Sequence, residues 1–89
     1  MPNIKSAAKR ARQNIKREQR NRRVKSMVKT AIRHFEESLQ GENLEEARIK
    51  LNSAVRRIDK AAARGIIHKN NAARKKSRLN RLLNNKTAV

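Results

Sequence analysis

The apolar residues of this chain recur with the spacing of an α-helix in three successive segments. The strongest stripe runs from Val24 to Leu39, where apolar residues follow the i, i+3, i+4, i+7 rule without a gap. A second segment begins near Asn43, and a third spans about His68 to Asn84. The stripes consist of Val24, Met27, Val28, Ala31, Ile32, Phe35 and Leu39, then Leu44, Ala47, Leu51, Ala54, Val55, Ile58 and Ala62, and finally Ala72, Leu79, Leu82 and Leu83. Because no alternating β-branched or aromatic run appears, the sequence predicts an all-α fold.

Polar residues and glycines mark where these helices begin and end. Ser6 is a candidate N-cap of the first helix, because its hydroxyl can accept a hydrogen bond from a first-turn N–H. Asn43 and Glu46, three residues apart, form a candidate capping box for the second helix. Gly41 and Gly65 follow the first two stripes, and a glycine in the left-handed conformation commonly closes a helix. These signals predict three helices joined by short turns.

The first half of the first helix has only a weak apolar stripe, and residues 16–23 interrupt it completely. That weak stripe consists of Ile4, Ala7, Ala8, Ala11 and Ile15. The second and third segments are too short to cover it as well as the Val24–Leu39 stripe. We therefore expect an antiparallel three-helix bundle with a long first helix, about 50 Å at about 1.5 Å per residue, whose basic N-terminal half projects. The predicted division is a projecting arm over 1–23, a bundle over 24–84 and a frayed tail over 85–89.

The charge of the chain indicates the class of partner that it binds. The 89 residues include 25 Lys and Arg against 7 Asp and Glu, a net charge of +18. Residues 1–33 hold twelve basic side chains and one acidic one, residues 34–63 hold five and six, and residues 64–89 hold eight and none. Two strongly basic ends thus flank a nearly neutral middle, and such an imbalance indicates a polyanionic partner.

The basic residues form two clusters. The first surrounds the axis of the predicted arm, and Glu18 is the only acid before Glu36, so a merely solvated face with interleaved acids is disfavoured. Asn70, Asn71, Ser77 and Asn80 interleave the second cluster, and such neutral side chains bond phosphate oxygens and 2′-hydroxyls. The clusters are Lys5, Lys9, Arg10, Arg12, Lys16, Arg17, Arg20, Arg22, Arg23 and Lys25, and then Lys69, Arg74, Lys75, Lys76, Arg78 and Arg81.

Aromatic side chains are missing from both clusters. Phe35 is the only aromatic residue, and it lies on the predicted core stripe. Proteins that bind single strands usually stack bases on aromatic rings. We therefore expect a folded nucleic acid that is recognised through its backbone and shape. With 6–10 phosphate contacts, affinity should fall by about 10³–10⁵ between 50 and 200 mM salt.

Other function classes find little support. His34 and His68 lie on different predicted helices without a Cys or a nearby Asp. The side chains of Glu36 and Glu37 diverge by about 100° on a helix. We therefore expect neither an enzyme nor a metal or cofactor site. No apolar run is long enough for a membrane span, and a membrane-surface helix would keep a continuous apolar face where residues 16–23 break it. The expected location is the cytoplasm.

A DNA regulator and a histone-like DNA-binding protein are the nucleic-acid alternatives. Residues 70–83 share residue types with the basic region of leucine-zipper proteins, but Ala73 and Ser77 are one residue too far apart and no zipper follows. A histone-like DNA packager is the alternative that charge alone also fits.

Three motifs resemble the S-twenty family of bacterial small-subunit ribosomal proteins. They are "NIKSAAKR" at 3–10, "VKSMVKTAI" at 24–32 and "AARGIIHKNNAARKKSRL" at 62–79, of which "GIIHKNNAAR" is the most specific. The resemblance covers nearly the whole chain, although Asn71 stands where family members commonly carry Lys. It implies a three-helix bundle that binds 16S ribosomal RNA directly, in the 5′ domain and near the long penultimate stem, within the 30S subunit. We expect a monomer with few or no required protein contacts and no small-molecule substrate. The RNA contacts that the matching motifs imply are Asn3, Lys5, Ser6, Lys9, Arg10, Ser26, Lys29, Thr30, His68, Lys69, Asn70 and Arg74.

Overall fold

The computed structural model describes residues 2–87, with side chains from Ile4 onward, and consists of three helices. Helix α1 spans Pro2–Leu39, α2 spans Leu44–Ala63 and α3 spans Lys69–Thr87. Residues 2–87 contain no strand, and the predicted all-α class with a long first helix is confirmed. Helix α3 continues three residues beyond its predicted end at Asn84.

The helices pack in an up-down-up order. Val24 and Val28, early in the packed part of α1, lie beside Ala61 and Arg64 at the end of α2, so α2 runs antiparallel to α1. Helix α3 then runs parallel to α1 and packs mainly against α2, with a much smaller contact to α1. Since α3 covers α1 only partly, an open groove is left on each side of α1.

The core lies between the second half of α1 and the two shorter helices. Phe35, Ile58 and Leu79 are its largest fully buried side chains, one from each helix. The core residues are Val28, Ala31, Phe35, Ala47, Leu51, Ala54, Ile58, Ala61, Ala72, Leu79 and Leu83. Five of these eleven are alanines, which bury little apolar area each, so the core is thin. The predicted stripe positions Met27 and Leu44 are instead 43% and 36% exposed.

The N-terminal half of α1 has no packing partner within residues 2–87. Every side chain from Ile4 to Arg20 is exposed. The molecule measures 68 × 21 × 13 Å, and its radius of gyration is 17.9 Å. A compact chain of this length would have a radius of about 12 Å. The predicted projection of the basic half of α1 is therefore observed.

The two ends of α1 differ from the predicted ones. The helix begins at Pro2, where the fixed φ of proline favours the first helical turn, so Ser6 lies inside the helix and is not the N-cap. At the other end, Gln40 and Gly41 donate backbone hydrogen bonds to the carbonyls of Glu37 and Ser38 at 3.2 and 3.3 Å. These tight turns close the helix, and Gly41 does not adopt a positive φ. The predicted left-handed conformation at Gly41 is wrong.

The ends of α2 follow the sequence more closely. Asn43 Oδ1 accepts a hydrogen bond from the backbone N–H of Glu46 at 3.2 Å, so the predicted N-cap forms. Gly65 has a φ of 73°. Its N–H donates to Ala62 O at 3.0 Å, and the N–H of Ile66 donates to Ala61 O at 2.9 Å. This pair of bonds is a Schellman motif, which requires a left-handed residue at the position of Gly65.

The weak apolar stripe of the arm does not continue the core stripe. At about 100° per residue, Ile4 and Ile15 lie about 140° around α1 from the line of Val28 and Phe35. They are 71% and 54% exposed. The positions of the arm that continue the line of Val28 and Phe35 are polar and include Arg10 and Arg17. For this reason the second and third helices would not cover Ile4 and Ile15 even if they were longer.

Candidate nucleic-acid interface

The projecting part of α1 presents its cations on every side but concentrates them on one. Six of them recur at i+3 or i+4 intervals, so they fall within about 80° of the helix circumference. We call this set the arm stripe; it consists of Lys5, Lys9, Arg12, Lys16, Arg20 and Arg23. Arg10, Arg17 and Arg22 lie on the remaining faces, and all nine side chains are exposed. The predicted contact Ser6 lies among them, whereas the side chain of Asn3 is outside the described residues.

One carboxylate lies within the arm. Arg22 Nη2 is 2.8 Å from Glu18 Oε1 one turn earlier, and the side chains are 78% and 63% exposed. An exposed pair at i,i+4 contributes only about 0.3–0.5 kcal/mol. The arm remains strongly positive, because this one carboxylate stands against nine exposed cations.

A groove between α1 and α3 brings together predicted residues from both basic clusters. Lys25 and Lys29 of α1 and Lys75 of α3 line one open cavity of about 220 Å³, together with Asn71. A neighbouring cavity of about 360 Å³ includes Lys29, Lys75 and Arg78. Clusters that lie 40 to 50 residues apart in sequence therefore form one surface, since α3 runs parallel to α1.

A second groove lies between α1 and α2. It has a volume of about 240 Å³, and its α1 wall includes the predicted contacts Ser26 and Thr30. His34 also lines it, opposite Lys50, Ser53 and Arg57 of α2. The α2 residues were not singled out from the sequence, because the middle segment is nearly neutral overall. Their spacing of three and four residues is the pattern that could have placed them on one flank of α2.

The N-terminus of α3 gives His68 a structural role. Its Nδ1 accepts a hydrogen bond from the backbone N–H of Asn70 at 3.1 Å, and its carbonyl accepts from Ala72 N at 3.0 Å. This geometry is that of a side-chain N-cap. Lys69 and Asn70 are exposed in the first turn beside it. Further along α3, Arg74 and Arg81 are exposed on the face away from the core.

Lys76 differs from the other predicted contacts of α3. Its Nζ is 2.8 Å from Asp59 Oδ1 on α2, and the two side chains are 35% and 53% exposed. It is the one ion pair between helices within residues 2–87. The lysine therefore links α2 to α3, and its charge is partly compensated.

The described residues contain neither a metal site nor a membrane span. No three His, Asp or Glu side chains from residues 2–87 gather as ligands of one ion. Across the same residues, no helix combines the length and apolar character needed to cross a bilayer. The exposed arm and the open grooves beside α1 are the surfaces where the basic residues gather.

Comparison with known proteins identifies a family. A family model described as ribosomal protein S20 matches residues 2–84. The small ribosomal subunit protein bS20 of Natranaerobius thermophilus is 60% identical over 85 residues, covering 96% of this chain and 97% of the relative. The bS20 protein of Pelotomaculum thermopropionicum is 56% identical, over 98% of this chain and 99% of the relative. That of Shouchella clausii is 47% identical, over 99% of this chain and 100% of the relative. On this evidence the chain belongs to the ribosomal protein S20 family.

Proposed function

We propose that this protein is a structural, non-enzymatic constituent of the small ribosomal subunit that binds 16S ribosomal RNA directly. It stabilises the packing of the RNA during assembly, acts as a monomer in the cytoplasmic ribosome and requires few protein contacts. The observation that carries this function is the projecting half of α1, where every side chain from Ile4 to Arg20 is exposed and only Glu18 opposes the cations. The family relatives are themselves named as small ribosomal subunit proteins.

The mechanism is electrostatic clamping. Residues 1–23 run between RNA segments and neutralise phosphates on several sides, while residues 24–84 set the direction of the arm. Each neutralised phosphate releases counterions, so the logarithm of affinity falls by about 0.9 per tenfold rise in salt for each contact. At 0.15 M salt this corresponds to about a fivefold gain in affinity per phosphate contact.

A charge reversal in the arm tests this function. In the double variant Arg22→Glu with Arg23→Glu, two contacts are lost and two repulsive charges are introduced, so affinity should fall by about 10³ at 0.15 M salt. The measurement is filter binding to a transcript of the 16S 5′ domain. Helix content should change little, because both side chains are exposed and neither lies in the core.

The matched control is Arg48→Glu with Arg56→Glu, which makes the same change in charge on exposed positions of α2. Neither residue lines a groove beside α1. Unchanged RNA affinity in the Arg22 and Arg23 variant, or an equal loss in the control, would contradict the clamp. Equal affinity for duplex DNA of the same length at matched salt would favour the histone-like alternative.

A further inference from the structure

One flank of α2 carries four cations that face the groove beside α1. Lys50, Arg57, Lys60 and Arg64 are separated by seven, three and four residues, so they share one side of the helix. Arg57 lines both the groove of about 240 Å³ and a second cavity of about 220 Å³, whose wall also includes Lys60 and Arg64. No acidic residue lines either cavity.

The arm stripe leads into this groove. At about 100° per residue, Lys16, Arg20 and Arg23 lie in line with Met27 along α1. Met27 lines both cavities, and its side chain is 43% exposed. A polyanion that follows the arm stripe therefore arrives between α1 and α2, at the end of α2 that holds Lys60 and Arg64.

The acids of the bundle lie away from this part of the groove. Asp59 is occupied by Lys76 on the opposite flank of α2, toward α3. Glu37 and Glu46 line the next cavity beyond Lys50, where they end the positive surface. None of the ion pairs formed within residues 2–87 includes Arg57, Lys60 or Arg64. These cations thus keep their full charge for an external anion.

We infer that Arg57, Lys60 and Arg64 form the second wall of a phosphate-binding groove between α1 and α2. In this groove, α2 binds the RNA backbone that continues from the arm stripe. This inference rests on the proposed function and adds α2 to the RNA-binding surface. The hydroxyls of Thr30 and Ser53 face the same groove and can donate hydrogen bonds to phosphate oxygens or 2′-hydroxyls. The track ends where Glu37 and Glu46 would repel further phosphates.

The test uses the full chain with Arg57→Gln and Lys60→Gln, because Arg64 caps α2 and is better left in place. Glutamine has nearly the helix propensity of the residues it replaces. Loss of two phosphate contacts should weaken binding to the 16S 5′-domain transcript by about 30-fold at 0.15 M salt and reduce the salt slope by about 1.8. Hydroxyl-radical footprinting should show that protections due to the arm persist and that a separate set disappears.

The control, Arg48→Gln with Arg56→Gln, removes the same charge from α2 outside the groove. It should weaken binding by less than about threefold, because screening leaves little long-range attraction at this salt concentration. If the wild-type protein binds with a steep salt slope and both double variants lose the same small amount, the inference about α2 is wrong and the proposed function stands. If the wild-type protein shows no salt-dependent binding, both fail.

Discussion

Replacement of Phe35 by alanine should remove most of the stability of the bundle. Phe35 is the only aromatic residue of the chain, and its exposure is 0%. Five of the ten other core residues are alanines, and their methyl groups are too short to fill the space that Phe35 leaves. The cavity should therefore persist, which is the costly case for a large-to-small substitution.

The magnitude follows from the burial of this side chain. A buried Phe→Ala substitution costs about 3–5 kcal/mol. A domain of 89 residues has a total stability of about 4–13 kcal/mol, and the thin core and the charge of +18 favour the lower part of that range. Starting from about 5 kcal/mol, the variant would retain only about 1 kcal/mol, so a measurable fraction would be unfolded at 25 °C.

The assay is urea denaturation followed by far-ultraviolet circular dichroism, since the chain has no Trp or Tyr to report unfolding by fluorescence. Ile15→Ala is the control, because Ile15 is 54% exposed on the arm. It should change the free energy of unfolding by less than about 0.5 kcal/mol. A loss below about 1.5 kcal/mol for Phe35→Ala, or an equal loss for Ile15→Ala, would refute the division into a packed bundle and an uncovered arm.

Two further substitution pairs test local interactions by the same measurement. Gly65→Ala should lower the free energy of unfolding by about 0.5–1 kcal/mol, because Gly65 has a φ of 73°. Gly41→Ala should leave it unchanged or raise it slightly, since the new Cβ would meet only Ser38 O at 3.5 Å. A larger loss at Gly41 than at Gly65 would contradict this assignment of the turns. Asp59→Asn should cost less than about 1 kcal/mol, and a double-mutant cycle with Lys76→Met should give a coupling energy of similar size because the pair is partly exposed. A coupling energy near zero would show that the contact does not stabilise the packing of α2 against α3.

The sequence predicts the helices of this protein well because apolar spacing, capping and glycine each act locally. The burial of Phe35, the cap at Asn43 and the left-handed Gly65 all follow from residues within one or two turns. The same reasoning fails at Gly41, where two backbone hydrogen bonds close the turn without a positive φ. Periodicity indicates that a stripe exists, but not whether a neighbouring helix reaches all of it, and Met27 accordingly lies at an open groove.

The grooves beside α1 were harder to predict than the helices, for a geometric reason. Lys25 and Lys75 meet across one groove, and Thr30 and Arg57 line the other, only because of how α3 and α2 are rotated about their axes. That rotation is set by packing between helices and leaves little trace in any single segment. The net charge of the middle segment also gave no indication of Arg57. The acids of that segment cancel the charge of Arg57 in the sum, but they lie elsewhere in space.

The bundle and the arm depend on each other through the continuity of α1. An isolated helix of fewer than about 12–15 residues is marginal in water because nucleation is costly, and like charges one turn apart weaken it further. Residues 24–39 supply that nucleus, since packing of Val28, Ala31 and Phe35 fixes their backbone independently of the arm. From this nucleus the helix extends into the arm one residue at a time, without a further nucleation cost. Repulsion among the cations of the arm opposes this extension, and RNA phosphates favour it. A small core is therefore sufficient, because it has to orient one helix and the polyanion supplies the remaining stabilisation of that helix.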